Sequence, residues 1–130
     1  MTPPLAHGID LVDFARIESM IQEHGRRFLD RVFTVREQTE AEGVKNRIEK
    51  LAGRFAAKEA VMKLVGTGWR GGVAWTDIEV TTGPMGEPRL EISGEIKRVA
   101  DELGIGPIAL SITHTANFAI ASAVAVRAGS

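Results

Sequence analysis

The chain has 130 residues, of which 44% are hydrophobic and 25% charged, so it is long enough for one domain with its own core. It contains no cysteine, which excludes disulfides and thiolate metal sites and fits a reducing, cytoplasmic compartment. The formal net charge of −1 argues against nucleic acid as a partner. We expect a single domain over residues 1–130. No signal peptide is expected, because the N-terminus lacks a basic start followed by an apolar run. No membrane helix is expected, because no apolar stretch approaches about 20 residues.

The N-terminal third predicts a strand followed by short helices. Leu5–Val12 alternates as a strand, and Asp13 is placed to cap a helix that ends near Gly25. The apolar residues of this helix recur at helical spacing: Phe14, Ile17, Met20 and Ile21. A short helical piece, Arg27–Val32, comes next.

The strongest helical pattern lies in the middle of the chain. Before it, Thr34 with Glu37 three positions later is the signature of a capping box at a helix start. A long helix is then predicted from Lys45 to Val65, and Gly66 and Gly68 stop it. Its apolar residues fall on one stripe: Ile48, Leu51, Phe55, Met62 and Val65.

The next segment predicts two strands and a helix. The β-prone runs Asp77–Thr82 and Pro88–Ile92 are joined by the turn Gly83–Glu87. A helix capped by Ser93 and closed by Gly104 carries apolar residues at helical spacing: Ile96, Val99, Ala100 and Leu103. These elements add a hairpin and one amphipathic helix to the predicted fold.

The last two predicted strands are Ile108–His114 and Phe118–Val126, joined by a tight turn at 115–117. One face of the last strand has only methyl side chains: Ala119, Ala121, Ala123 and Ala125. The long helix carries four alanines of its own, so it is the element expected to pack closely on this face. Because helices and strands do not strictly alternate, we predict an α+β fold, with a mostly antiparallel sheet packed on one long helix.

The long helix holds the densest set of candidate functional residues. At about 100° per residue, Glu59 lies about 60° from the centre of the apolar stripe, and Lys63 follows one turn later. A carboxylate this close to the core is paired or liganded, because an unpaired buried charge is costly. A Glu59–Lys63 ion pair on a solvated shoulder is the alternative. Arg54 and Lys58 share the other flank, where they face phosphates or only water.

Two further candidates lie on predicted strands. Asp10 interrupts the β-prone run Gly8–Val12, where aspartate is disfavoured, and it either has a function or caps the following helix. Together, Asp10 and Glu59 would offer the oxygen ligands that Mg²⁺ takes. His114 ends a strand beside a turn, so it either contacts a ligand or packs at the rim of the core.

The glycine-rich segment Gly66–Gly71 matches the dinucleotide-binding glycine pattern. The true motif follows a strand and opens a helix, whereas this segment follows a helix and leads towards a strand, so we reject that interpretation. The backbone amides of these glycines could still cradle a phosphate.

Four blocks of the sequence are informative when they are taken together and in order. The blocks are Gly8–Val12 with Arg16 and Glu18, Arg31–Thr34 with Glu37, Leu51–Ala60 continuing through Lys63 to Gly68, and Ser111–His114 with the alanine-rich strand. In this order they resemble the bacterial holo-acyl-carrier-protein synthases of the 4′-phosphopantetheinyl transferase superfamily. The turn Gly86–Pro88 is also similar to that family's.

The resemblance implies a Mg²⁺-dependent transferase of fatty acid biosynthesis. Such an enzyme moves the 4′-phosphopantetheine arm of coenzyme A to a serine of apo acyl carrier protein and releases 3′,5′-ADP. Asp10 and Glu59 are implied to ligate Mg²⁺ and, with Lys63, to form the catalytic centre. Contacts to the nucleotide end are implied for Arg54, Lys58, Gly66, Thr67, Gly68 and His114. Whether Glu59 or a water on the metal removes the serine proton stays open.

The resemblance also implies partners. Acyl carrier proteins are acidic, so a basic docking face is expected, and the candidates are Arg16, Arg26, Arg27 and Arg31. Alternatively, these are ordinary solvated arginines offset by neighbouring acidic residues. Family members of this length are trimers, which implies a homotrimer with active sites between subunits. A non-catalytic module that binds coenzyme A or a related nucleotide is the alternative function, and a purely structural domain is the third.

Overall fold

A computed structural model of the chain describes residues 4–66 and 72–128. The elements in chain order are β1 (Leu5–Asp13), α1 (Phe14–His24), α2 (Arg26–Val32), α3 (Val35–Ala41), α4 (Arg47–Val65), a 3₁₀ turn (Trp75–Asp77), β2 (Ile78–Thr82), β3 (Pro88–Ile92), α5 (Gly94–Glu102), β4 (Ile105–His114) and β5 (Phe118–Arg127). This is the α+β fold that the sequence predicts. None of the helices in these two ranges is long and apolar enough to cross a membrane.

Local signals in the sequence account for most element boundaries. Asp13 caps α1 by accepting a hydrogen bond at 2.9 Å from an amide of the first turn. Thr34 and Glu37 form both halves of the predicted capping box. Helix α4 begins at Arg47, two residues after the predicted Lys45.

The strands form two antiparallel sheets. Strands β1, β5 and β4 form a three-stranded sheet with β5 in the centre, and β2 and β3 form a separate hairpin. Strand β4 begins at Ile105 rather than at the predicted Ile108. A bulge lies between these two residues, and it accommodates Pro107, which has no amide hydrogen for regular pairing.

Helix α4 is the centre of the core and packs on the inner face of the three-stranded sheet. The four alanines of β5 are at most 3% exposed, which confirms the predicted close approach. Two glycines lie at close contacts between this helix and the sheet. A Cβ at Gly8 would overlap the carbonyl oxygen of Ala60, and one at Gly53 would lie 3.0 Å from Nε2 of His114. Strand β1 and helix α4 are therefore held at nearly backbone contact.

The outer face of the same sheet is uncovered in the single chain. Six of its large apolar side chains are between 37% and 65% exposed: Leu5, Ile9, Leu11, Phe118, Val124 and Val126. His7 and Ser122 lie among them, with Nε2 and Oγ 3.3 Å apart. A continuous apolar face of this kind marks an interaction surface.

The contact at Gly8 gives a stability prediction. Replacing Gly8 with Ala should lower the free energy of unfolding by about 1–3 kcal/mol, because overpacking at a rigid backbone forces helix α4 away from β1. Urea denaturation measures this loss. The control is Ala15→Ser, which also adds one heavy atom but at an exposed position of α1. Equal stability of the Gly8→Ala variant and the parent chain would contradict the close approach.

Candidate active site

Asp10 lies on the inner face of β1, where it is 9% exposed. Its Oδ1 atom accepts a hydrogen bond from Nζ of Lys63 at 2.8 Å, and the same ammonium donates to the carbonyl of Ile9 at 3.0 Å. Its Oδ2 atom is buried and accepts no hydrogen bond from the described residues. Asp10 is therefore not the cap of α1, which is Asp13.

Glu59 reaches the same point from helix α4. Its side chain is 20% exposed, and its Oε1 lies 3.7 Å from a guanidinium nitrogen of Arg16. Burial is the main cause that raises the pKa of Glu59 to about 7, and the neighbouring Asp10 carboxylate acts in the same direction. Arg16 and Lys63 oppose this rise in the Glu59 pKa. The two acidic residues that are distant in sequence therefore converge, and the direct partner of Lys63 is Asp10 rather than Glu59.

The paired carboxylates fit a divalent cation. Two close carboxylates repel each other. A shared cation would offset that repulsion and would give the buried Oδ2 atom of Asp10 a partner. Mg²⁺ is typically held through one or two carboxylates, while waters and substrate phosphates complete its shell. Within residues 4–66 and 72–128, no third histidine or acidic side chain joins the pair to make a larger ligand cluster.

A cleft of about 420 Å³ opens beside the first turns of α4. Arg54 and His114 both line it, together with Thr81 and Thr82 of the hairpin. The imidazole of His114 is exposed, and its Nε2 lies 3.2 Å from the carbonyl oxygen of Glu49. The structure thus brings together two of the side chains predicted to contact the nucleotide end.

Lys58 is not part of this cleft. The residue is 0% exposed, and its Nζ lies 2.8 Å from Oε1 of Glu37. It also donates to the carbonyl oxygens of Trp75, at 3.1 Å, and Ile78. An ammonium has three hydrogens to donate, and these partners use all of them. The prediction that Lys58 contacts the nucleotide is wrong, because the hairpin covers the flank of α4 that the sequence left open.

The glycine turn is described only in part. Gly66 ends helix α4 in the left-handed conformation, with φ of 87°, and its amide donates to the carbonyl of Met62. This confirms the predicted helix stop. Thr67 and Gly68 lie outside the described residues.

The predicted docking arginines lie in different environments. Arg16 pairs with Glu59, and its guanidinium carbon lies 5.0 Å from the centre of the Phe55 ring. Arg26 pairs with Asp30 at 3.4 Å on the surface. Arg27 is exposed on α2. Only Arg16 reaches the pair of carboxylates.

Two acidic residues of α3, Glu37 and Glu40, are not among the site residues that the sequence predicts. Glu37 is predicted only as a capping residue, yet both pair with cations of α4. The available signal was their spacing. Glu37 and Glu40 are three residues apart on α3, and Arg54 and Lys58 are four residues apart on α4, so each pair occupies one helix face.

The arrangement defines a class of protein. An enzyme that acts on phosphate groups needs positive charge at the phosphate and groups that position the substrate. This site offers two converging carboxylates suited to a divalent cation, a lysine beside them, and a cleft lined by an arginine and a histidine.

Comparison with known proteins agrees with this class. The sequence model of the 4′-phosphopantetheinyl transferase superfamily matches residues 6–121. A holo-(acyl-carrier-protein) synthase of Solibacter usitatus is 45% identical over 117 residues, covering 90% of this chain and 94% of that protein. The corresponding synthase of Koribacter versatilis is 45% identical over 120 residues, covering 92% of this chain and 96% of that protein.

Solved structures give the same result. The holo-(acyl-carrier-protein) synthase of Neisseria meningitidis superposes with a TM-score of 0.85 at 32% identity, covering 94% of this chain and 98% of that one. The synthase of Bacillus anthracis in complex with coenzyme A (3′,5′-ADP) gives a TM-score of 0.78 at 37% identity, covering 95% and 96%. The chain belongs to the 4′-phosphopantetheinyl transferase superfamily.

The Glu59 environment predicts a pH dependence of stability in metal-free protein. The pKa of Glu59 is about 7 in the folded chain against an ordinary value of 4.5, so the folded state binds more protons than the unfolded state between these values. Stability from this group therefore falls as pH rises from 4.5 to 7. Replacing Glu59 with Gln should remove this part of the decline.

Urea unfolding at several pH values in a chelator measures the difference between variant and parent. Glu49→Gln, an exposed position of the same helix, should keep the parent's pH profile. If Glu59→Gln has the same profile as well, the assigned environment of Glu59 is wrong.

Proposed function

We propose that this chain transfers the 4′-phosphopantetheine arm of coenzyme A to a serine of apo acyl carrier protein. The serine oxygen forms a bond to the β-phosphorus, the bond from that phosphorus to the bridging oxygen breaks, and 3′,5′-ADP leaves with the electron pair. The observation that carries the proposal is the meeting of Asp10, Glu59 and Lys63 at one point, in a chain whose superfamily performs this transfer.

Asp10 and Glu59 hold Mg²⁺ in this proposal. The fit of the ion depends on the unsatisfied Oδ2 of Asp10 and on the proximity of the two carboxylates, which adds to burial in raising the pKa of Glu59. When bound, Mg²⁺ supplies positive charge that polarises the diphosphate and offsets the charge of the leaving group. The two carboxylates fix the position of that charge relative to helix α4.

Lys63 has two roles at the centre. Its ammonium orients the Asp10 carboxylate at 2.8 Å, and its side chain is 56% exposed, so it can also donate to a phosphate oxygen. The serine proton needs an acceptor close by. The Glu59 carboxylate lies at this centre and is one candidate acceptor, and a water held at the same centre is the other.

The nucleotide end of coenzyme A occupies the cleft beside the first turns of α4. Both Arg54 and His114 line it. The exposed imidazole of His114 can hydrogen-bond to phosphate or base, and the buried guanidinium of Arg54, which pairs with Glu40, contributes positive charge. Thr67 and Gly68, which follow the end of α4, are the proposed backbone contacts to the phosphates, since the Gly66 amide already donates to the carbonyl of Met62. This assignment keeps the predicted nucleotide contacts of Arg54, His114, Thr67 and Gly68.

The uncovered outer face of the three-stranded sheet is the subunit interface of a homotrimer with active sites between subunits. Its apolar side chains would be costly to leave in water, and three copies can close the faces around one axis. The acyl carrier protein docks on the basic side chains of α1 and α2, Arg16, Arg26 and Arg27. The protein acts in the cytoplasm as a single domain over residues 1–130.

The alternative is a non-catalytic module that binds coenzyme A or a related nucleotide. Such a module needs the cleft with Arg54 and His114 but has no use for Asp10. The buried and specifically paired carboxylate of Asp10 favours the transferase, because an unneeded buried charge costs stability.

The transfer reaction gives a direct test. Purified chain, Mg²⁺ and coenzyme A should add about 340 Da to an apo carrier protein, the mass of the transferred arm, as seen by mass spectrometry. Glu59→Gln should lower the rate by at least about a hundredfold, because the variant loses a charge at the metal site. Glu49→Gln on the same helix should retain the parent's rate. A fully active Glu59→Gln variant would overturn the metal assignment, and an unmodified carrier with the parent chain would favour the binding module.

The trimer is tested separately. Val126 is 65% exposed on the outer face of the sheet, so Val126→Asp should leave the chain folded but place a charge in the interface. We expect this variant to sediment as a monomer of about the 14.0 kDa chain mass, while the parent sediments as a trimer. Val35→Asp, at a position 81% exposed on α3, is the matched control and should remain trimeric. A monomeric parent chain would rule out the proposed assembly.

A further inference from the structure

Strand β2 pairs with β3 along one edge only. The carbonyl of Asp77 and the amide of Gly83 bond towards the β3 side of the hairpin. Because alternate residues of an antiparallel strand face opposite edges, the backbone groups of Ile78, Val80 and Thr82 point to the other edge. That edge lies against helices α3 and α4, where unpaired backbone groups would be costly.

Charged side chains replace the missing strand at the start of this edge. Nζ of Lys58 donates to the carbonyl of Ile78. Oε2 of Glu37 accepts from the amide of Val80 at 2.7 Å. Glu37 and Lys58 also pair with each other at 2.8 Å, and both side chains are 0% exposed.

The same arrangement repeats one step along the strand. Nε of Arg54 donates to the carbonyl of Val80 at 2.9 Å, and Oε1 of Glu40 accepts from the amide of Thr82 at 3.3 Å. Arg54 and Glu40 pair at 2.7 Å. We call these four residues the side-chain ladder: Glu37, Glu40, Arg54 and Lys58. Donors and acceptors alternate along it as they do along a β-strand.

The side-chain ladder sets the position of one wall of the cleft. Val80 and Thr82, whose backbones it holds, line the cleft together with His114. Glu37 and Lys58 do not line it themselves. They fix β2 at its base, and the wall depends on the path that β2 takes from there.

We infer that Glu37 and Lys58 are positioning residues for the nucleotide end of coenzyme A, acting through strand β2. This inference rests on the proposed function for the identity of the ligand. It assigns to Lys58 a different role from the direct contact that the sequence predicts. Neither residue touches the ligand, so their loss should weaken nucleotide binding and leave the chemistry at Asp10 and Glu59 intact.

The experiment compares Glu37→Gln, Lys58→Met and the variant with both substitutions. Removal of one charge leaves its buried partner unpaired, which can unfold the chain, whereas removal of both avoids this penalty. The double variant therefore keeps the test valid if the single variants do not fold. Lys97→Met, which breaks an exposed pair with Asp101 on α5, is the matched control.

Two measurements separate positioning from simple loss of stability. In folded variants, the KM for coenzyme A and the calorimetric Kd for 3′,5′-ADP should each rise about tenfold, while kcat at saturating coenzyme A changes less than about threefold. Amide hydrogen exchange at Val80 and Thr82 should speed up in the same variants. Lys97→Met should change none of these quantities.

The outcomes distinguish the inference from the proposed function. Folded variants with unchanged KM and Kd would overturn the inference. A loss of kcat at constant KM would also overturn it, because that result shows only that a smaller fraction of the enzyme molecules is active. If the parent chain modifies no carrier protein but still binds 3′,5′-ADP in a way that depends on Glu37 and Lys58, the proposed transfer fails and the positioning role stands.

Discussion

The close packing of helix α4 on strand β1 is the constraint on which the site depends. Gly8 has no side chain, so the strand lies against the carbonyl oxygen of Ala60, and Asp10, two residues further on, meets Glu59. Any larger residue at position 8 would separate the carboxylates as well as the backbones. The same contact therefore determines core packing and the geometry of a charged centre, because interiors are dense and transmit displacement.

Charge is compensated differently on the two sides of α4. Towards β1, the cations near Asp10 and Glu59 do not satisfy both carboxylates, and Oδ2 of Asp10 accepts no hydrogen bond from the described residues. Towards the hairpin, Glu37 and Lys58 satisfy each other and the backbone completely. The carboxylates on the β1 side can therefore attract a cationic ligand. Glu37 and Lys58 cannot bind a further ligand, because they already neutralise each other. This difference explains why adjacent residues of one helix, Lys58 and Glu59, have unlike roles.

Much of the fold could be predicted from local signals, since caps, periodicity and turn residues act within a few positions. The sequence also indicates Asp10, which interrupts a β-prone run, Glu59, which lies close to the apolar stripe, and Lys63, one turn after Glu59, and the structure brings these three side chains together. Lys58 was misplaced for a physical reason. A helix pattern shows which residues share a flank, but it does not show which other element covers that flank. The hairpin that buries Lys58 lies about 20 residues further along the chain, and its packing is a tertiary property.

The occupied edge of β2 has one more consequence. Exposed strand edges are the usual starting points for aggregation and strand exchange, because their backbone groups recruit strands from other chains. Here Glu37, Glu40, Arg54 and Lys58 occupy those groups, so a foreign strand would have to displace four charged side chains before it could pair. The hairpin can thus remain short and two-stranded without inviting self-association at this edge.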